Sequence, residues 1–592
     1  MKFLRLAAAL LISGAAACAA VPAGPPAAAA SIGVDELKAG QAGVVWTVFQ
    51  GTQPEPFAVE VTGVVRNALG PGKSLIICQL TDPRVQTMGA VAGMSGSPLY
   101  IDGRFAGALS YQMQRFETVR HAGFTPAADL DEVRQKRSPA SGLVQTGLPA
   151  VGSESPYHAM APVFTLGGLS PLVAELFAPQ FAAMGLSATA VGGSTQGGST
   201  EAAASLAQPR GATATAALQP GSAVAVALTT GDITLAGTGT VSRRDGDRVT
   251  AFGHPLMTLG DVALPMCAAE IVTILPSQMS SVKVANTGAI IGTINQDRLS
   301  AVSGTLGAGP AMTEVEVTVN VARGPARTLR FAVVRQPTLT PALVAAGVTQ
   351  AILGSNDAGL ANGFRLTSNI AFPGAAQLSF HSLYSGPQGF MQGLNEFVQG
   401  LAANLQNPYA KTFPDRVVFN VEPLDTNPSV TLDLFQLSRT KAVAGETIQA
   451  TLAWRNWQGE TERQVINLVL DPAWAGKQLE VILAPGRALD LLTGRPRLIS
   501  AAELRSFDAY LEALRDERPT DGVCLAVVEK TILFSDQTVA TPDAPGSIER
   551  IARAADEARF RRRDAVLPLW ERHLLPGKLF TTVVRRPLTV LE

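Results

Sequence analysis

A chain of 592 residues is too long for one hydrophobic core and calls for three or four domains. With 16% charged residues, a net charge of −1 and no basic, aromatic-rich stripe, it lacks the electrostatic footprint of a nucleic-acid binder. Its 46% hydrophobic fraction is largely Ala, Val and Leu beside 56 glycines, a strand-rich composition that predicts a mainly β fold.

The chain opens with an export pattern over residues 1–30. Lys2 and Arg5 precede the apolar run from Leu6 to Ile12, and small residues follow from Ala15 to Ala20. The run is too short to anchor the chain across a bilayer. Cleavage is expected after Ala20 or near Ala30, with the product in the periplasm or outside the cell. Cys18 follows Ala15-Ala16-Ala17 without the leucine usual at a lipoprotein cleavage site; lipidation there is the one way a membrane would become a partner. Cys78, Cys267 and Cys524 are widely spaced, which fits isolated buried thiols and neither a disulfide framework nor a zinc site.

Residues 31–150 read as a small β-barrel. Short apolar runs at Val44–Phe49, Phe57–Val61, Val64-Val65 and Leu75–Cys78 are broken by Gly, Pro and Asn. Then comes Gly93-Met94-Ser95-Gly96-Ser97-Pro98, and after it a hairpin turning at Asp102-Gly103, a strong type I′ signal. Residues 151–220 predict a helix over Pro171–Met184 and a linker rich in Gly, Ser and Thr from Gly192 to Thr215. Residues 221–336 read as a second barrel-like unit, with a hairpin at Asp245-Gly246 and the turn Phe252-Gly253-His254-Pro255.

Residues 337–415 are mixed, with helices expected at Pro341–Leu353 and Phe390–Leu405. Alternation over 416–485 predicts an immunoglobulin-like sandwich. Residues 486–592 read as an α+β tail. It has a helix capped by Ser500 over Ala501–Arg515, strands in Asp521–Phe534 and a charged helix over Ser547–Arg563, and His573 is read as lying in a charged terminal helix.

The chemistry concentrates at Ser95. Glycines on both sides let backbone N–H groups converge near its hydroxyl, as a serine nucleophile of acyl transfer requires. Such a serine needs a base and a group to orient the base. Of five histidines, His254 sits in the most constrained turn; His121, His158, His381 and His573 have less context. Asp82, before Pro83 and shortly upstream of the serine, is a candidate orienting carboxylate, with Asp261 and Asp129 as alternatives; the ordinary reading of Asp82 is a turn residue.

Thr81-Asp82-Pro83, Gly93-Met94-Ser95-Gly96-Ser97-Pro98 and Asp102-Gly103-Arg104-Phe105-Ala106-Gly107-Ala108 together resemble the SpoIVB peptidase family of sporulation-type serine endopeptidases. The resemblance implies a chymotrypsin-like double β-barrel. It implies Ser95 as nucleophile, His254 as general base and Asp82 as the residue that orients the imidazole. It also implies an oxyanion hole from the N–H groups of Gly93 and Ser95. The family's histidine precedes its serine; here it follows, so the barrels would be exchanged in order.

The expected activity is therefore an exported serine endopeptidase that cleaves protein or peptide substrates through an acyl-enzyme and needs no cofactor or metal. The alternative is an inactive protease-fold scaffold, a protein-binding component of the envelope. A small-molecule esterase fits less well, because a hairpin and not a helix follows Ser95.

Overall fold

The computed structural model describes residues 24–26, 29–113, 118–135, 158–160, 162–186, 188–191, 193–194, 218–277, 281–321, 324–354, 358–405, 412–493, 506–535, 540–542, 545–547, 550 and 561–592. The expected Gly192–Thr215 linker and residues 1–23 of the leader lie almost wholly or wholly outside that set. The architecture is mainly β, as the composition implies.

Six strands close the first barrel: β1 (Ala42–Thr47), β2 (Glu55–Gly70), β3 (Lys73–Leu80), β4 (Pro98–Ile101), β5 (Arg104–Gln112) and β6 (His121–Pro126). Their order is β4-β1-β2-β3-β6-β5, closed by the β4–β5 hairpin, with β7 (His158–Ala159) added beside β5. The alternation legible in the sequence points Val45, Phe57, Val59, Val61, Ile76, Cys78 and Leu80 into one core. Asp102 and Gly103 both take positive φ, 49° and 74°, as a type I′ turn demands. Residues beyond the expected cleavage near Ala30 are not the first to join the fold. Ala30 O accepts from Phe105 N at 2.9 Å and Pro26 O from the Tyr100 hydroxyl at 3.2 Å, so the folded unit starts upstream of residue 30.

Next come β8 (Val163–Gly167), the helix Pro171–Ala183, β9 (Ala188–Val191) and β10 (Gly193–Ser194). A second ring then forms from β11 (Ala223–Gly231), β12 (Thr234–Asp245), β13 (Arg248–Ala251), β14 (Gly260–Leu275), β15 (Val282–Arg298) and β16 (Ala301–Leu306). The pairing runs β11-β14-β15-β16-β13-β12 and returns through β11–β12. The same sheet continues from β11 into β18 (Arg327–Val334), β17 (Met312–Val319), β21 (Arg416–Pro423), β19 (Phe364–Ala371) and β20 (Gln377–Tyr384). The helix Leu339–Leu353 is buried nearly throughout and packs on β17 and β18. Its Gly347 is required by that packing: a Cβ there would lie 2.0 Å from the Phe331 ring.

The C-terminal unit has two sheets around one apolar core. One is β22 (Val430–Leu437), β24 (Thr447–Asn456) and β25 (Thr461–Val469). The other holds β23 (Lys441–Val443), β30 (Val584–Leu591), β26 (Gln478–Ala484), β27 (Val523–Ser535) and β28 (Ala540–Pro542), with β29 (Arg561–Leu574) on β27. This differs from the sequence expectation in two ways. Residues 416–423 pair with β17 and β19, so residues 416–485 do not form a sandwich of their own; most of the second sheet comes from residues 478–591. Residues 561–574 are a strand, so His573 lies in β29 and not in a charged helix; of the helix expected over Ser547–Arg563, residues 561–563 belong to that strand, and residues 548–549 and 551–560 lie outside the described set. Pairing along all of β27 overrides the helical charge pattern. The helix expected from Ala501 is described from Phe507 to Arg515 with Ser506 as its N-cap.

The seam between barrel and second ring is stitched by main chain. Ala92 N donates to Ser281 O at 2.8 Å and Lys283 N to Ala92 O at 2.9 Å; Gly51 and Ile271 exchange bonds of 2.7 and 2.9 Å. Gly96 sits at a close approach of the two, at φ +94°, and a Cβ on it would lie 2.0 Å from Thr240 O and 2.5 Å from Phe252 N. Gly96→Ala is therefore expected to cost about 2 kcal/mol or more, against about 1 kcal/mol for Gly103→Ala, whose surroundings are open. Urea denaturation of the two variants checks the ordering.

Candidate active site

The serine loop follows the short helix Pro83–Met88 and leads into β4. Two left-handed glycines, Gly93 at φ +98° and Gly96, bracket Met94-Ser95 and fold the strip back on itself. Most of its main chain is spent on holding that shape. Met94 N donates to Val91 O (2.8 Å), Gly96 N to Leu109 O (2.7 Å) and Ser97 N to Met94 O (3.0 Å); Ser97 Oγ also donates to Met94 O (2.6 Å). Two donors are left over. The N–H groups of Gly93 and Ser95 have no acceptor among the described residues. They are the serine's own N–H and the one two residues before it, the pair that the family resemblance implies.

The histidine turn comes from the second ring. Phe252 and Gly253 both adopt positive φ, 70° and 68°, which is strained for a phenylalanine and turns His254 sharply out of β13. Gly253 packs on Leu109 O, where its Cβ would lie 3.0 Å away; that carbonyl also accepts the Gly96 N–H. Gly253 O accepts from Thr125 Oγ1 at 2.7 Å, and Ser95 O accepts from Thr240 N at 2.8 Å. The loop of Ser95 and the turn of His254, far apart in sequence, are thus seated against each other at the seam.

Both side chains are almost sealed from solvent, each 1% exposed. Ser95 Oγ and His254 Nε2 are buried atoms without a hydrogen-bond partner, so the expected bond between hydroxyl and imidazole is not formed in this state. His254 Nδ1 lies 2.7 Å from Pro255 O. A carbonyl only accepts, so Nδ1 carries the proton, and in the neutral ring Nε2 keeps its lone pair. Burial drives the imidazole down to about 4, opposed by that main-chain bond, so the ring is neutral at physiological pH.

The carboxylates fall elsewhere. Asp82 caps the helix Pro83–Met88, accepting from Arg84 N at 2.9 Å and pairing with the Arg84 guanidinium, which also reaches Glu55. Burial acts to raise its pKa, but the bonds from Arg84 outweigh it and hold the carboxyl below the usual range. The described structure gives Asp82 no bond to His254: the turn-residue reading describes it, and the position by Nδ1 is filled by the Pro255 carbonyl. Asp261 binds Gln296 and Arg298, and Asp129 binds Lys73. Neither orients the imidazole.

Sequence reasoning missed Asp297. Buried at the end of β15, it accepts from Leu256 N (2.7 Å), Met257 N (2.9 Å) and Leu259 N (3.0 Å), clamping the segment that follows His254. Burial raises its carboxyl against the pull of those donors. Thr258 inside the clamp takes φ +60°, unusual for a β-branched residue, so the clamp holds a strained loop. Nothing in Asn295-Gln296-Asp297-Arg298 distinguishes this aspartate from a solvated one. Of the other histidines, His121 is on β6 with Nδ1 3.0 Å from Val119 O, His381 is on β20, and His573 Nε2 contacts Asp521 O; none approaches the serine loop in the described contacts. Cys78, Cys267 and Cys524 are free and buried. The described residues contain no cluster of metal-binding side chains.

Residues 25–117 match the SpoIVB peptidase S55 family. The SpoIVB-matching segment contains the whole first barrel up to β5, together with Asp82, Gly93 and Ser95, and ends before the second ring and His254. No curated protein and no solved structure matches the chain.

Two outcomes are expected. An unfolded histidine titrates near its ordinary value while folded His254 holds out to about 4, so stability is full above the ordinary value and is lost as pH falls through that window. The loss is on the order of 3 kcal/mol, and His254→Leu removes it from the pH profile of urea midpoints. Asp82→Ala is expected to cost about 1 kcal/mol, the worth of a helix cap, in the same assay.

Proposed function

We propose that the chain is an exported serine endopeptidase of the SpoIVB type, with Ser95 as nucleophile, His254 as general base and the N–H groups of Gly93 and Ser95 as the oxyanion hole. The observation that carries the reading is the coincidence of those two unused donors with an unpartnered serine hydroxyl and a buried, neutral imidazole on the facing turn. In this reading the closed barrel and the second ring are the two barrels of a chymotrypsin-like peptidase in exchanged chain order.

The chemistry follows from the parts. Ser95 Oγ attacks a peptide carbonyl while His254 Nε2 takes its proton; the Pro255 carbonyl holds Nδ1–H and steadies the imidazolium that forms. The Gly93 and Ser95 N–H groups bind the oxygen as it becomes negative. His254 then protonates the leaving amine, and water clears the acyl-enzyme by the same steps reversed. Asp82 supports this only indirectly, by fixing the helix ahead of the serine loop. Export to the periplasm or beyond rests on residues 1–23, with the folded unit beginning by residue 26; lipidation at Cys18 would tether it.

One observation favours the scaffold reading. Ser95 Oγ is closed off from solvent, so a polypeptide reaches it only after a covering element moves. A serine-directed phosphonate followed by mass spectrometry separates the two. The peptidase reading expects one adduct on Ser95 in the wild type, none in Ser95→Ala, and labelling slowed by at least about 10³-fold in His254→Gln. A folded wild-type protein that takes no label is a scaffold.

A further inference from the structure

Lys283 has no part in the mechanism above, yet it occupies the wall of the site. It lies on β15 and is fully buried, at 0% exposure. Its main-chain N–H donates to Ala92 O, the residue before Gly93. Its stem runs directly behind Gly93: a Cβ there would meet Lys283 Cβ at 3.0 Å and Cγ and Cδ at 3.3 Å. Nζ donates to Thr47 Oγ1 at 2.8 Å, and Thr47 is itself fully buried. A methionine would fill the same space without the cost of desolvating an amine, so packing does not explain the residue.

We propose that Lys283 is a positioning residue of the oxyanion hole: its stem fixes Gly93 from behind, and its ammonium, anchored on Thr47, supplies the positive field in which the oxyanion develops. The proposal rests on the assignment of Ser95 as nucleophile. In a seam closed to bulk solvent, a cation whose stem packs on Gly93 favours negative charge on the substrate oxygen more strongly than it would at a surface.

The neighbours leave that charge uncompensated. β1 presents Thr47, and the serine strip presents Ala92 and Gly93. Ile274 of β14 lies opposite Lys283 in register, and Ala285, on the same face of β15, belongs to a cluster of Val48, Ala269, Ile271 and Cys267. The Cys267 thiol is pushed up to about 12 by burial and stays neutral. Glu270 of β14 is exposed, and no carboxylate pairs with Lys283 among the described residues. Burial lowers the Lys283 amine to about 7, so its charge is present below that pH and fades above it. The His254 base is available above about 4. Acylation is then expected to be fastest between the two.

The test is the second-order rate of phosphonate labelling of the full chain from pH 4 to 9. The wild type is expected to lose rate above about pH 7. Lys283→Met is expected to label about tenfold more slowly at pH 6 and to lack that alkaline fall. Thr47→Val, which keeps the lysine and removes its anchor, moves the fall to lower pH. A Lys283→Met variant with the wild-type rate and profile overturns the proposal. If that variant does not melt cooperatively, Thr47→Val decides, and an unchanged profile overturns it equally. Wild-type protein that takes no label defeats the peptidase reading itself, an outcome distinct from a labelled wild type with an indifferent Lys283.

Discussion

The site depends on one constraint: the strip from Ala92 to Gly96 belongs to the first barrel by sequence, yet Ala92 and Ser95 O are hydrogen-bonded across to the second ring. Ala92 is paired to the start of β15 and Ser95 O to Thr240 of β12, so both ends of the strip are fixed by strands that enter the chain more than a hundred residues later. Between those fixed ends the two left-handed glycines leave only one way to fold. The unused N–H groups are a by-product of that fold, because every other donor from Met94 to Ser97 is consumed in making it. The histidine turn is held with the same economy. Leu109 O receives the Gly96 N–H and forms the floor under Gly253, so one carbonyl sets the distance between loop and turn.

Electrostatics at the seam follows from burial more than from charge pairing. His254 and Lys283 are both pushed toward their neutral forms by burial, with no acidic partner among the described residues to resist. A carboxylate against the imidazole would have raised it; a main-chain carbonyl orients the ring and leaves it uncharged. Asp297 does its work one step removed, holding residues 256–259 so that the Pro255 carbonyl stays in place.

What could be read from the sequence was what is local. Gly-Met-Ser-Gly-Ser-Pro and Asp102-Gly103 are short-range backbone instructions, and the loop and the hairpin formed as those residues dictate. His254 could be singled out because a glycine and a proline pin its turn. Asp82 misled for the same reason: Asp-Pro is a local signal, and what it encodes is a helix cap. Asp297, Lys283 and the Thr240 amide were invisible because their roles come from strand register across the seam, which no spacing along the chain reports. The C-terminal half shows the same limit. β21 has clean alternation that says strand but not which sheet, and it joined the large one. β29 carries charges spaced for a helix and was claimed by the full length of β27.

The stitching at Ala92 also bears on when the site comes into being. A ribosome that has finished the first barrel has made the serine, both glycines and the two spare N–H donors, but not the strands that brace them. Residue 240 brings the amide that binds Ser95 O, residue 254 the imidazole, and residues 281 and 283 the groups that pair with Ala92. The serine strip and the turn of His254 therefore reach their described arrangement only when the second ring has closed.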